Sequence, residues 1–321
     1  LRYQVLRDRE LNTEKNPAAY LASEVDELLA LLKDFPSESV SLPNTTAESP
    51  TLLKQCLLLC EQHQAIQHEP IRTVHHFACT GGTLISKCIA AMPNTQLLSE
   101  VDPLNSPAKQ PKRPQFNPTN MVALLRDSTR GVSDDLVIEL FLGDLQTVYD
   151  GTICKGGYLV LRDHAHSHFC MGPTVQQRPS LLEMIATRFQ TLSLITVRNP
   201  IDSYLSLKLN GWVFFSPDSF DEYCGRYLAF LRAYDGVPII RFEDFTEEPD
   251  IVMKKICGFL KLPFNPQFKE LFSVFKITGD SGRSGDVIES RPRREISPAL
   301  VEEINASENF MRLGSLLGYS A

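Results

Sequence analysis

The sequence predicts an α/β fold in three layers: a central, mostly parallel five-stranded sheet, a P-loop-like first strand–turn–helix, and an N-terminal helical extension. Three observations predict it. From residue 72 onward, short apolar runs alternate with longer amphipathic stretches, the pattern of parallel strands covered by helices on both faces. A Gly81-Gly82 pair sits where the first apolar run passes into the first helical pattern. Upstream, two helical patterns flank a stretch of 37–50 rich in Ser, Pro, Thr and Asn, which reads as a linker. The chain therefore divides into a helical extension with its linker, 1–66, and an α/β domain, 67–321.

The elements follow in order. "YLASEVDELLALLKDF" is amphipathic and Pro36 stops it; a second helix spans about 51–66. The strands are "RTVHHFA" (72–78), "TQLLS" (95–99), "YLVLR" (158–162), "LSLITV" (192–197) and "VPIIRF" (237–242). Leu84, Ile85, Cys88, Ile89 and Met92 form one helical stripe, and Leu136, Val137, Leu140, Phe141, Leu145 and Val148 another. Ser133 caps the second, with two aspartates in its first turn. Residues 102–132 and 276–297 carry prolines, glycines and little periodicity, so both read as loops, the first a long loop or lid.

Composition removes several function classes. With 321 residues, 43% of them hydrophobic, the chain can bury a real core. Its net charge of −7 argues against nucleic-acid binding, which wants clustered excess Lys and Arg. No apolar run is long enough to span a membrane, and no signal-peptide pattern opens the chain. The sequence begins at Leu1, which reads as a piece of a longer polypeptide. The eight cysteines (56, 60, 79, 88, 154, 170, 224 and 257) lie scattered in apolar stretches, as buried thiols of a reducing, cytoplasmic compartment do. Cys56 and Cys60 have no second pair to complete a zinc site.

Ligands of parallel sheets bind beyond the carboxyl ends of the strands. Those ends carry Cys79-Thr80-Gly81-Gly82-Thr83, Glu100, Asp163-His164, Arg198 and Glu243. A strand, a Gly-Gly turn and a helix present backbone N–H groups to an anion, and Thr80 and Thr83 add hydroxyls. The turn lacks the Gly-Lys-Ser/Thr of an NTPase, and Ile85 stands where a cysteine phosphatase would have arginine. In "LITVRNPIDSYLSLKLNGW", Arg198 ends a strand, Pro200 opens a helix and Ser206 lies two turns on. Arginine and hydroxyl together can grip one phosphate from two sides. The bland alternative is a surface arginine paired with Asp202.

On these residues, strand–Gly turn–helix at 74–92 followed by "VRNPIDSYLS", the chain resembles the PAPS-dependent sulfotransferases. "ITGDSGRSGD" and "VPIIRFEDFTEEPDIVMKKICGFLKLPF" resemble later segments of that family, so the likeness covers about 72–295. The resemblance implies sulfuryl transfer from PAPS (3′-phosphoadenosine 5′-phosphosulfate), with PAP as product. The 5′-phosphosulfate would lie on the backbone of Thr80, Gly81, Gly82, Thr83 and Leu84. The 3′-phosphate would lie on Arg198, Ser206 and a late loop of Arg283, Ser284 and Gly285. The acceptor would be a hydroxyl of a glycan or a hydroxylated small molecule, in a pocket built by 102–132, 165–180 and 210–218. The N-terminal helices would dock a further domain or a second copy.

One departure stands out. The family carries Lys or Arg two residues before the first loop glycine, and here that residue is Cys79. Arg162 is the candidate replacement, with Lys87 second. "YLVLRDHAHSHFCMG" sets His164, His166 and His168 at alternate positions, on one side if the strand continued. The resemblance assigns catalysis to Arg162 and His164, with His166 as the alternative base; neutral-range titration suits imidazole to the task. Asp163 is a candidate to orient His164. Glu100 and Asp102 read either as site residues or as turn caps, and Trp212, Phe214 and Phe215 either as stacking residues or as core. His75 and His76 read as sheet residues packed under helices. Three alternatives remain: a PAP- or PAPS-binding pseudoenzyme, a zinc-dependent hydrolase using His164, His166 and His168, and a P-loop kinase. The favoured reading places no metal in the site.

Overall fold

The computed structural model describes residues 69–105, 121–126, 128–278, 287–290 and 292–320, together with Lys54. The chain divides into two units between Ile66 and Gln67, and the sheet with its helices belongs to the second, Gln67–Ala321. The expected N-terminal helices and the Arg283-Ser284-Gly285 loop lie outside the described residues.

Five strands form one fully parallel sheet: β1 (Ile71–His76), β2 (Thr95–Val101), β3 (Tyr158–Asp163), β4 (Thr191–Val197) and β5 (Ile239–Arg241). Their order across the sheet is β2-β3-β1-β4-β5. Nine-residue α1 (Gly82–Ala90) follows β1, and α2 (Asp134–Ile153) leads into β3. A short helix, α3 (Ala165–Phe169), leaves β3, and α4 (Pro200–Leu209) leaves β4. Beyond them lie α5 (Phe220–Ala233), α6 (Phe242–Glu247), α7 (Pro249–Leu260) and α8 (Glu308–Leu317). Among the described residues no helix is long and apolar enough to cross a membrane.

Strand alternation sends successive side chains to opposite faces. Val160 and Leu194 pack with Ile85, Ile89, Val252 and Ile256 of α1 and α7. Leu159 and Leu161 pack with Val137 and Leu145 of α2, whereas Ile195 and Val197 meet the aromatic helices α5 and α8. Expected caps are present: the Ser133 hydroxyl accepts from Leu136 N, and Pro200 stands in the first turn of α4.

All six residues of β1 are buried, three of them Arg or His, so each polar group needs a partner. Arg72 donates to Leu260 O at 2.7 Å and Pro70 O at 2.8 Å and pairs with Glu69. His75 bridges Thr73 Oγ1 (2.8 Å) and Asp163 Oδ2 (2.9 Å). Thr73 in turn bonds Ser193 Oγ at 2.7 Å, and the Tyr234 hydroxyl donates to Asp163. One buried chain of hydrogen bonds thus ties β4, β1, β3 and α5 together.

The structure differs from the sequence expectation in three places. Strand β3 stops at Asp163, because the Ser167 main-chain N–H donates to His164 O at 3.1 Å and closes a helical turn. Residues 165–169 are therefore α3 rather than strand or loop. The segment expected to be one loop over 102–132 holds a helix at Met121–Arg126. Finally, β5 is only three residues long, since Phe242 opens α6.

Phe77, fully buried just past β1, stacks on Tyr227 (ring centroids 4.5 Å apart) and touches Tyr223 and Phe230. Phe77→Ala is expected to cost about 3–5 kcal/mol in a urea titration; a loss below 1 kcal/mol would show that this aromatic face does not hold the sheet to α5.

Candidate active site

The carboxyl ends of β1, β3 and β4 open into one cavity of about 550 Å³. Its floor is the turn after β1. Cys79 (φ 63°) and Gly81 (φ 84°) both adopt left-handed backbone, and Gly81 caps α1 with no side-chain cap bond. Neither glycine has room for a side chain. A Cβ on Gly81 would stand 2.1 Å from the Phe242 ring, and one on Gly82 would stand 2.2 Å from the His76 ring. The glycines thus let backbone N–H groups and the helix end face the cavity between two rings. Thr80 is buried and donates inward to Phe77 O at 2.8 Å, whereas Thr83 Oγ1 accepts from Arg162 at 3.0 Å.

Arg162 is the hub. It is 4% exposed and lines the cavity wall. Its Nε donates to His76 Nε2 at 2.7 Å. One Nη meets Ser99 Oγ at 2.9 Å, Thr278 O at 2.8 Å and Glu100 Oε1 at 2.8 Å; the other meets Thr83. His76 is therefore part of the site rather than packing beneath a helix. Burial holds its pKa well below the usual histidine value, and the Arg162 guanidinium pushes the same way. A neutral imidazole follows, and its Nε2 lone pair can accept from arginine.

Glu100 joins Arg162 to the candidate base. Its second oxygen lies 3.0 Å from His164 Nε2. The β2–β3 register shifts between Leu98 and Val101, and Glu100 has φ 60°. This bulge turns the carboxylate toward both partners. Glu100, not Asp163, orients His164: Asp163 points the other way, to His75 and Tyr234. Asp102 is a clamp, gripped by both Nη atoms of Arg178 at 2.7 Å and by Ser167. Burial pushes its carboxyl up, but Arg178 outweighs that and leaves it below the usual value.

On the other side, Arg198 Nη1 lies 3.4 Å from Cys79 O and 3.5 Å from Ser206 Oγ, its Cζ 5.1 Å from the Phe242 centroid. Asp202 pairs with Arg293 instead of Arg198. Ser206 also accepts from Arg294 at 2.8 Å. Sequence reasoning misses Arg294; its only signal is the cationic run "RPRREIS" in an irregular stretch. Arg198 and Ser206 share the cavity with the turn, Arg162, Lys87 and His164.

The three histidines do not share a face, because α3 replaces the expected strand extension. His168 turns away and bonds Gln176 O at 3.0 Å. His166 lines the cavity beside Trp212 and Phe214, ring centroids 6.4 and 5.8 Å away. Burial lowers its pKa to about 4, and the neighbouring His164 pushes the same way. Among the described residues no three His, Cys, Asp or Glu gather in a metal-binding group.

Comparison with known proteins finds likeness in structure alone. No family model and no curated protein matches the chain. Similar solved structures include the sulfotransferase domain from the curacin biosynthetic pathway, 16% identical, with TM-score 0.47 over 79% of this chain and 99% of that one. The sulfotransferase domain of the Synechococcus PCC 7002 olefin synthase is 15% identical, with TM-score 0.47 over 79% and 96%. Mouse sulfotransferase SULT7A1 complexed with PAP is 12% identical, with TM-score 0.40 over 78% and 90%. The chemistry of the site rests on its own residues.

The buried neutral histidines set an acid limit on stability. A histidine whose folded pKa is depressed binds its proton in the unfolded chain first. Stability is then full above about pH 6.5 and falls below it, until the folded group also titrates. For His166 that window runs from about 6.5 to about 4. Unfolding free energy should fall by up to about 1.4 kcal/mol per pH unit per such histidine between pH 6.5 and 5. His166→Phe should flatten that slope by one proton; an unchanged slope would contradict a buried, neutral His166.

Proposed function

We propose that this protein is a sulfotransferase that moves a sulfuryl group from PAPS to a hydroxyl of a glycan or a hydroxylated small molecule. One observation carries the reading: the Gly81-Gly82 turn, the Arg162 guanidinium and the Arg198–Ser206 pair line a single cavity. That arrangement suits a nucleotide with phosphates on both sides of its ribose.

The residues divide the work. Backbone N–H groups of the turn and the end of α1 hold the 5′-phosphosulfate, where a side chain on either glycine would collide with Phe242 or His76. Arg162 supplies the positive charge that Cys79 does not. It is preorganised by its partners, so charge building on the departing phosphate oxygen meets a fixed positive charge. Arg198 and Ser206, with Arg294 on the same hydroxyl, hold the 3′-phosphate and so favour PAPS over ATP. The resemblance adds Arg283, Ser284 and Gly285 to the same subsite.

His164 is the general base. An ionised Glu100 accepts from Nε2–H, which leaves Nδ1 to take the proton of the acceptor hydroxyl. As that oxygen bonds to sulfur, the bond between sulfur and the 5′-phosphate oxygen breaks and PAP leaves. The resulting imidazolium lies against the Glu100 carboxylate. What favours catalysis over binding alone is Arg162 itself: a buried, multiply bonded cation lines the cavity and bonds Thr83 beside the turn assigned to the leaving phosphate.

Three measurements test the assignment. PAP should raise the melting temperature, and ATP should do so much less. Arg198→Ala should weaken PAP by about 10–100-fold, the scale of a lost charge-assisted contact, while sparing ADP; equal weakening of both ligands would contradict the 3′-subsite. His164→Ala should keep PAP affinity and abolish PAP release from PAPS with any acceptor, so a loss of PAP binding would make His164 structural.

A further inference from the structure

Beyond the donor, the cavity continues past His164 to His166, Trp212 and Phe214. His166 has a feature that nothing in the reaction above uses. Its Nε2 is buried and has no hydrogen-bond partner among the described residues. The Trp212 main chain acts on the ring as a hydrogen-bond partner would, in the sense that favours the protonated form. A carbonyl accepting from a ring N–H acts in that sense. With Nε2 unpartnered, that bond falls to Nδ1, so Nδ1 carries the hydrogen and Nε2 presents a bare lone pair. A buried acceptor without a donor costs free energy that a ligand donor recovers.

The surroundings define that donor. His164, the base, lies 6.4 Å from His166 between ring centroids. The walls are the indole of Trp212 and the ring of Phe214. A molecule placing one hydroxyl at His164 therefore has a second acceptor within reach a few ångströms away, beside apolar faces suited to a ring.

Resting on the sulfotransferase reading, we propose that His166 is a specificity residue for the acceptor, and that the acceptor is a ring bearing two neighbouring hydroxyls. One hydroxyl faces His164 and reacts; the other donates to His166 Nε2 and stays unmodified. His166 is then not a second base. The shared chemistry, a vicinal diol on a ring, comes from two sources: an aromatic catechol or a saturated ring such as a sugar. A ring with a single hydroxyl would leave Nε2 without a donor, and pockets built to bond a hydroxyl discriminate against analogues lacking it.

The test is direct binding, independent of transfer. The full chain, saturated with PAP, is titrated with catechol against phenol, and with trans-cyclohexane-1,2-diol against cyclohexanol, by ligand-observed NMR. In at least one pair the diol should bind about tenfold tighter, the scale of one hydrogen bond to a buried group. Preference within the catechol pair assigns an aromatic acceptor, and within the cyclohexane pair a saturated one. His166→Phe should bring that ratio to about one, and His166→Gln, which keeps an acceptor atom, should restore part of it. PAP affinity reports that each variant is folded. Equal binding of diol and mono-ol by the wild type, or an unchanged ratio in His166→Phe, overturns the proposal. Should PAP itself fail to bind, the donor assignment falls, and the same ratios measured without PAP still decide the role of His166.

Discussion

A guanidinium in the interior is the constraint on which this site depends. Arg162 cannot shed its proton, so the protein must surround it with acceptors or lose several kcal/mol to desolvation. The sequence supplies them from four separate segments: His76 at the end of β1, Ser99 and Glu100 on β2, Thr83 on α1, and the Thr278 carbonyl. Each has a structural consequence. His76 must be neutral to accept. Glu100 must leave regular strand geometry to reach. Residue 82 must be glycine, because the imidazole that accepts from Arg162 occupies the space of a Cβ.

In the proposed reaction the same network couples its two halves. Through Glu100, Arg162 and His164 share one carboxylate. On the proposed reading, a change at Glu100 would move both the charge that receives the leaving phosphate and the orientation of the base. The buried chain from Ser193 through Thr73, His75 and Asp163 to Tyr234 does comparable work below the site. It fixes the last residue of β3 and hence the position from which His164 departs.

The parallel sheet and its five strands were legible because every strand is a short apolar run bounded by a turn signal. The Gly-Gly turn and the Arg198–Ser206 spacing were legible because they are local in sequence. Arg162 was legible only as a vacancy filled: Cys79 lacked a charge, and the nearest strand end offered one. The partners of Arg162 were not, since a β-bulge at Glu100 and a buried contact to His76 leave no periodic trace. His164, His166 and His168 misled for a related reason. Their alternate spacing looks like a strand, but main-chain hydrogen bonds from Ser167 to His164 O and from Cys170 to His166 O close helical turns and separate them. Arg294 reaches Ser206 across 88 residues, a juxtaposition that only the fold creates.

The most direct measurement concerns the charge at Arg162. Calorimetric titration of Arg162→Met with PAP and with adenosine 3′-phosphate, which lacks the 5′-phosphate, separates the two ends of the nucleotide. A cation serving the 5′-phosphate predicts a loss of about 10–100-fold for PAP, no change for the 3′-phosphate, and partial recovery of PAP when Cys79→Lys is added. Unchanged affinity for both ligands, or an equal loss of both, would contradict that role.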